Sequence, residues 1–97
     1  MKRTLARRRI AEQFLESPGK ARWAYELADS VFVDKSSVNT ILQRMFTAGW
    51  LTEQWEDGTP TGRPRRRYFR ATELGLSEMA VLTGVAAHET NRKALAT

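Results

Sequence analysis

Two groups of residues carry the side chains that could do chemistry. The first lies between Asp34 and Gly49, where Lys35, Ser36, Ser37, Asn39, Thr40, Gln43 and Arg44 supply cations, hydroxyls and amides at helical spacing. The second lies in the stretch WEDGTPTGRPRRRYFR, Trp55 to Arg70, which contains Arg63, Arg65, Arg66 and Arg67. Amides and hydroxyls hydrogen-bond base edges and phosphates, and guanidinium groups neutralise phosphate or enter a narrow minor groove. Catalysis needs a different set. No acid–base pair stands beside a nucleophile and no glycine loop is built to cradle phosphate, so no enzyme is expected. With no cysteine and a single histidine, His88, neither a disulfide framework nor a metal site is expected, and no cofactor is implied. His88 reads as a surface residue.

Composition agrees with a polyanionic partner. The 97 residues carry a net charge of +5 and a pI near 10.2. Lys2, Arg3, Arg7, Arg8 and Arg9 form one basic cluster, and Arg63, Arg65, Arg66, Arg67 and Arg70 form another. Outside them six basic residues face 11 acids, so the rest of the chain is net acidic and the positive charge is concentrated in two places. The length fits one domain with a modest core, which gains from self-association. No apolar run approaches the roughly 20 residues that a membrane helix needs, and the basic N-terminus lacks the apolar block of a signal peptide. The absence of cysteine fits a reducing compartment.

The elements that must position these groups follow from periodicity. Ile10 and Phe14 share one face of a first helix that begins near Leu5 and stops at Ser17-Pro18-Gly19. Arg7, Arg8 and Arg9 are expected on its exposed side. A short second helix spans about Trp23 to Asp29, with Trp23 and Leu27 inward and Tyr25 and Glu26 outward; Val31-Phe32-Val33 is expected to tuck into the core. Val38, Ile41, Leu42, Met45 and Phe46 give the third helix its apolar stripe, Asp34 or Ser36 can cap it, and Gly49 can end it. Its opposite face, Ser36, Asn39, Thr40, Gln43 and Thr47, is polar but almost uncharged, where an ordinary solvated face carries Glu and Lys. Leu51–Trp55 and Arg66–Arg70 flank a Gly/Pro turn and pair as a two-stranded ribbon with a cationic tip. Tyr68 and Phe69 alternate across it, one packing on the core. Glu56 and Asp57 are local partners for its arginines. A last helix opens at Thr72 and runs through Leu74, Leu76, Met79, Ala80, Leu82 and Val85, weakened by Gly75 and Gly84 and fraying after His88.

This order of three helices, ribbon and closing helix is that of the winged helix-turn-helix, a mainly α fold with a small β-hairpin. The chain also resembles the PadR-like family of bacterial transcriptional regulators. Trp55-Glu56-Asp57, Gly62-Arg63-Pro64-Arg65-Arg66 and Arg67-Tyr68-Phe69-Arg70-Ala71-Thr72 are similar to that family's wing, and Tyr25-Glu26-Leu27 is similar to its second helix. Val33 to Met45, with Ala48-Gly49-Trp50-Leu51, is similar to its recognition helix and the exit into the wing. The similarity covers about Ile10 to Gly75. Asn39 stands where members commonly carry Tyr, so an operator sequence does not transfer, and no small-molecule effector is indicated.

The resemblance implies a transcriptional repressor, cytoplasmic and nucleoid-associated, of bacterial or phage type. It would bind double-stranded DNA as a homodimer on a pseudo-palindromic operator. Residues 1–72 would be the DNA-binding part, with a basic N-terminal segment in which Lys2 and Arg3 are marginal. Residues 73–97 would form the dimerisation helix, using Leu76, Met79, Ala80, Leu82 and Val85. In the recognition helix Asn39 and Gln43 have the amide geometry for a bidentate contact with adenine, and Lys35, Ser37 and Arg44 would hold phosphates. Arg63, Arg65 and Arg66 would reach the backbone or the minor groove. The alternatives are a winged helix used for RNA or replication-associated binding, and one used for protein–protein interaction through Trp50 and Trp55.

Overall fold

Three of the helices begin where the sequence supplies an acceptor for an orphan amide. Thr4 accepts from the Arg7 N–H ahead of α1 (Leu5–Glu16). Asp34 accepts from the Ser37 N–H ahead of α3 (Lys35–Thr47), and Thr72 from the Gly75 N–H ahead of α4 (Glu73–Thr83). The short α2 (Ala24–Val31) has no side-chain cap and rests on packing. Strands β1 (Leu51–Trp55) and β2 (Arg67–Ala71) complete the chain order α1-α2-α3-β1-β2-α4. The computed structural model describes residues 4–57, 62 and 65–84. This is the expected winged helix-turn-helix arrangement.

The apolar stripes meet in one core. Ile10 and Phe14 from α1, Leu27 and Val31 from α2, Val38, Leu42 and Met45 from α3, and Met79 and Leu82 from α4 are all buried there. Each such side chain contributes about 1.5–3 kcal/mol on leaving water. Met79 and Leu82, expected on a dimer face, are buried in this core instead; a core this small takes them for itself. On α4 the exposed large apolar residues are instead Leu74 and Val81, seven apart on one face. Leu76 and Ala80 are half-buried, and Val85 lies outside the described residues.

Local geometry departs from expectation at Phe32. It adopts the left-handed conformation (φ 56°, ψ 43°) that ends α2, and it is 89% exposed rather than tucked inward. The tight turn between α2 and α3 forces this, because Val31 and Val33 on either side take the inward positions. Arg7 also differs: it is buried, while Arg8 and Arg9 are exposed and Arg9 Nη1 donates to the Val31 carbonyl at the end of α2.

The ribbon is anchored at its base. Glycine ends α3 in a Schellman turn: Gly49 (φ 82°) and Trp50 donate to the Phe46 and Met45 carbonyls. Trp50 is thereby directed into the core, and β1 starts beside it. The strands pair antiparallel with Glu53 opposite Phe69 and Trp55 opposite Arg67. On its other edge Phe69 exchanges both backbone hydrogen bonds with Arg22, at 2.8 and 2.7 Å. Arg22 is buried, its guanidinium donating to the Gln13 carbonyl and to Glu26. The ribbon is thus tied to the α1–α2 connection, a third partner that periodicity alone did not reveal.

Gly75 lets α4 press against this anchor, since a Cβ there would collide with the Trp50 carbonyl. Helix propensity alone favours Gly75→Ala by about 1 kcal/mol. The contact reverses the sign, and we expect the variant to lose about 1–3 kcal/mol from overpacking. Thr72→Ala removes the α4 cap and should cost about 1 kcal/mol. Thermal unfolding checks both; a raised melting temperature for Gly75→Ala would contradict the packing described.

Candidate nucleic-acid interface

The outward face of α3 and one face of the ribbon lie side by side. Lys35, Asn39, Arg65, Arg66 and Arg67 line one concavity of about 470 Å³, together with Trp23, Tyr25 and Phe69. Asn39, Thr40, Gln43, Arg44 and Arg67 line an adjoining hollow. The helix touches the ribbon directly where Arg67 Nη1 donates to Gln43 Oε1 at 3.1 Å. Asn39 and Arg67 line both hollows, so the amides of the helix and the arginines of the ribbon form one surface.

The predicted helix residues divide by what their polar atoms already do. Ser37 donates its hydroxyl to Asp34 Oδ1 at 2.7 Å, so its proton is spent on the cap. Thr40 donates back to the Ser36 carbonyl. Ser36, Asn39 and Arg44 are exposed and make no side-chain hydrogen bond among the described residues. Lys35 sits over the Tyr25 ring, its Nζ 3.8 Å from the centroid. This cation–π contact places the ammonium at the start of α3 beside Asn39.

The ribbon arginines also differ from one another. Arg65 is exposed. Arg66 stacks on Trp23, 4.3 Å from the ring, and its Nε lies 3.8 Å from Glu56, too far for a hydrogen bond. Arg67 is held inward: Nε donates to Glu53, and the guanidinium carbon lies 4.6 Å from the Phe69 ring. Arg63 lies outside the described residues, as do Lys2 and Arg3. Sequence reasoning assigned partners to the wing arginines at Glu56 and Asp57 and missed Glu53. The signal was present, since Glu53 and Arg67 are diagonal neighbours across the ribbon, but it becomes readable only once the register is known.

Arg7 contributes a further basic group between α1 and α3, lining a groove with Ser36, Thr40 and Arg44. Among the described residues no helix is long and apolar enough to cross a membrane.

Comparisons with known proteins place this geometry in a recognised fold. No family model matches the chain, and no curated protein matches it. Solved structures do match. A PadR family transcription regulator from Clostridium difficile superposes with a TM-score of 0.67 at 19% identity, covering 91% of this chain and 93% of that one. A PadR-like transcription factor from Bacteroides fragilis gives 0.68 at 18% identity, over 95% and 88%. A MarR family transcriptional regulator from Silicibacter pomeroyi gives 0.64 at 21% identity, over 91% of this chain. The present chain spans only 58% of that regulator's length. At these identities the likeness is one of fold: four helices and an antiparallel hairpin arranged as in winged helix-turn-helix regulators.

The cap that orients the start of α3 is sensitive to acid. Hydrogen bonds from the Ser37 hydroxyl, and then its backbone N–H, lower the Asp34 carboxyl below its ordinary value of 3.8. Because the folded value lies below the unfolded one, the stabilisation is complete above the ordinary value. It is lost as pH falls through the folded one. Asp34→Ala should therefore melt at a lower temperature than the parent at neutral pH, and the gap should narrow as the pH is taken below the ordinary carboxyl value. A gap of constant size from neutral to strongly acidic pH would count against this.

Proposed function

We propose that the protein is a sequence-specific regulator of transcription that binds double-stranded DNA and acts as a homodimeric repressor. One observation carries the reading: the polar face of α3 and the arginines of the ribbon meet in a single concave, cationic surface, joined at Gln43 and Arg67. A helix of this kind fits a major groove while the ribbon lies over the flanking backbone. Asn39 is the foremost candidate to read a base, because its amide is exposed and uncommitted among the described residues. Lys35 and Arg44 hold phosphates, and Arg65, with Arg63 beyond the described residues, reaches the backbone or minor groove. Ser36 is placed to join them. Ser37 and Thr40 shape the helix through their own backbone partners.

The dimer is proposed on the exposed apolar face of α4, Leu74 with Val81, in place of the buried Met79 and Leu82. Repression follows from exclusion: protein on the duplex blocks polymerase. The fold likeness to PadR and MarR regulators supports the regulatory role.

Titration of labelled duplexes tests the reading. The logarithm of the affinity should fall linearly with that of salt, with a slope of about −0.9 per neutralised phosphate. Arg65→Ala should weaken specific and random duplexes alike, whereas Asn39→Ala should cost about 1–3 kcal/mol on the specific site and change its preferred sequence. Affinity that is flat in salt, or tighter binding to structured RNA than to duplex DNA, would overturn the proposal. A solution mass of one chain at the binding concentration would remove the dimer from it.

A further inference from the structure

Gln43 stands on the outward face of α3, one turn beyond Asn39, yet the two amides are not in the same state. The Asn39 side chain makes no hydrogen bond among the described residues, whereas Gln43 Oε1 accepts from Arg67 Nη1 at 3.1 Å. A guanidinium carries donors alone, so the Gln43 atom that meets it has to be the carbonyl oxygen, and the NH₂ group points the other way. The internal partner of that NH₂ is Thr47 Oγ1 at 3.5 Å, the far limit of a hydrogen bond.

Arg67 is itself fixed. Its Nε donates to the Glu53 carboxylate across the ribbon, and its guanidinium carbon lies 4.6 Å from the Phe69 ring and 5.3 Å from the Phe46 ring. A charge-assisted bond and two aromatic faces hold it against the helix. The order Glu53–Arg67–Gln43 therefore orients the amide before any partner arrives.

We propose that Glu53 and Arg67 are specificity-determining residues that make Gln43 a donor and direct it to guanine. This rests on the DNA-binding reading above and refines it. A free glutamine suits adenine, accepting from N6 while donating to N7. Here the adenine amino group would have to share Oε1 with a guanidinium, which brings two donors of positive polarity together. Guanine offers N7 and O6, both acceptors, to the same edge and meets the NH₂ without that conflict. The cation on Oε1 also polarises the amide and strengthens the NH₂ as a donor. Arg67 thus acts through Gln43, and Glu53 acts through Arg67.

Selection from a random duplex pool tests this, with the parent chain, Gln43→Ala, Arg67→Met and Glu53→Gln run in parallel. The position whose preference disappears in Gln43→Ala is the one Gln43 reads. The parent should select guanine there. Arg67→Met, which keeps an apolar stem against the aromatic rings and removes every donor, should shift the preference toward adenine by about tenfold. Glu53→Gln leaves Arg67 in place but loosens it, and should relax the guanine preference without reversing it; it carries the test if circular dichroism finds Arg67→Met unfolded. Adenine selected by the parent, an unchanged motif in Gln43→Ala, or a guanine preference untouched by either ribbon variant would overturn the inference while leaving DNA binding intact. Enrichment of no duplex motif by the parent would instead overturn the DNA-binding reading, and this inference with it.

Discussion

Phe69 is the residue on which the ribbon's position depends. Its ring is buried and lies edge-on to Phe46 of α3, with centroids 6.4 Å apart. Its backbone pairs with Glu53 on one side and with Arg22 on the other. A single β2 residue therefore joins α3, β1 and the α1–α2 connection. An isolated two-stranded hairpin is marginal in water. Here the strand is stabilised from both edges and from the core beneath, which is why a short ribbon can hold arginines at a set distance from a helix.

That placement has an electrostatic side. Arg66 and Arg67 each rest on an aromatic ring and each lie near a glutamate, while Arg65 is exposed. Ordering a long cationic side chain costs up to about 2 kcal/mol of rotamer freedom. Where stacking has already ordered it, less of that cost remains for association. Phe69 carries Arg67, Trp23 carries Arg66 and Tyr25 carries Lys35, so the aromatic residues at the start of α2 serve the cationic surface as well as the fold.

Much of this architecture was legible before any coordinates. The α3 stripe from Val38 to Met45, the Asp34 cap, the Gly49 stop and the paired strands all follow from local rules, with boundaries shifted by a residue or two. What escaped was non-local. Arg22 reads as one more cation beside a helix, and nothing nearby announces that it pairs with a strand 47 positions later. Phe32 reads as core because it is large and apolar; the turn that exposes it is a backbone requirement imposed by Val31 and Val33. On α3, residue types picked out the outward face but could not distinguish amides already hydrogen-bonded from amides still open. That distinction depends on the ribbon register, which the glycine- and proline-rich segment between the strands leaves undefined in one dimension.

The bridge at Arg22 also bears on unwanted strand pairing between copies. A sheet edge with unsatisfied amides and carbonyls invites another strand to pair with it. Arg22 occupies the outer side of β2 at its middle, so the open border belongs to β1. That border is five residues long and carries a glutamate at its centre. Brevity and charge are the two features that discourage edge-to-edge growth, and here the same glutamate also holds Arg67, so one side chain both blunts the strand edge and sets the geometry of the cationic face.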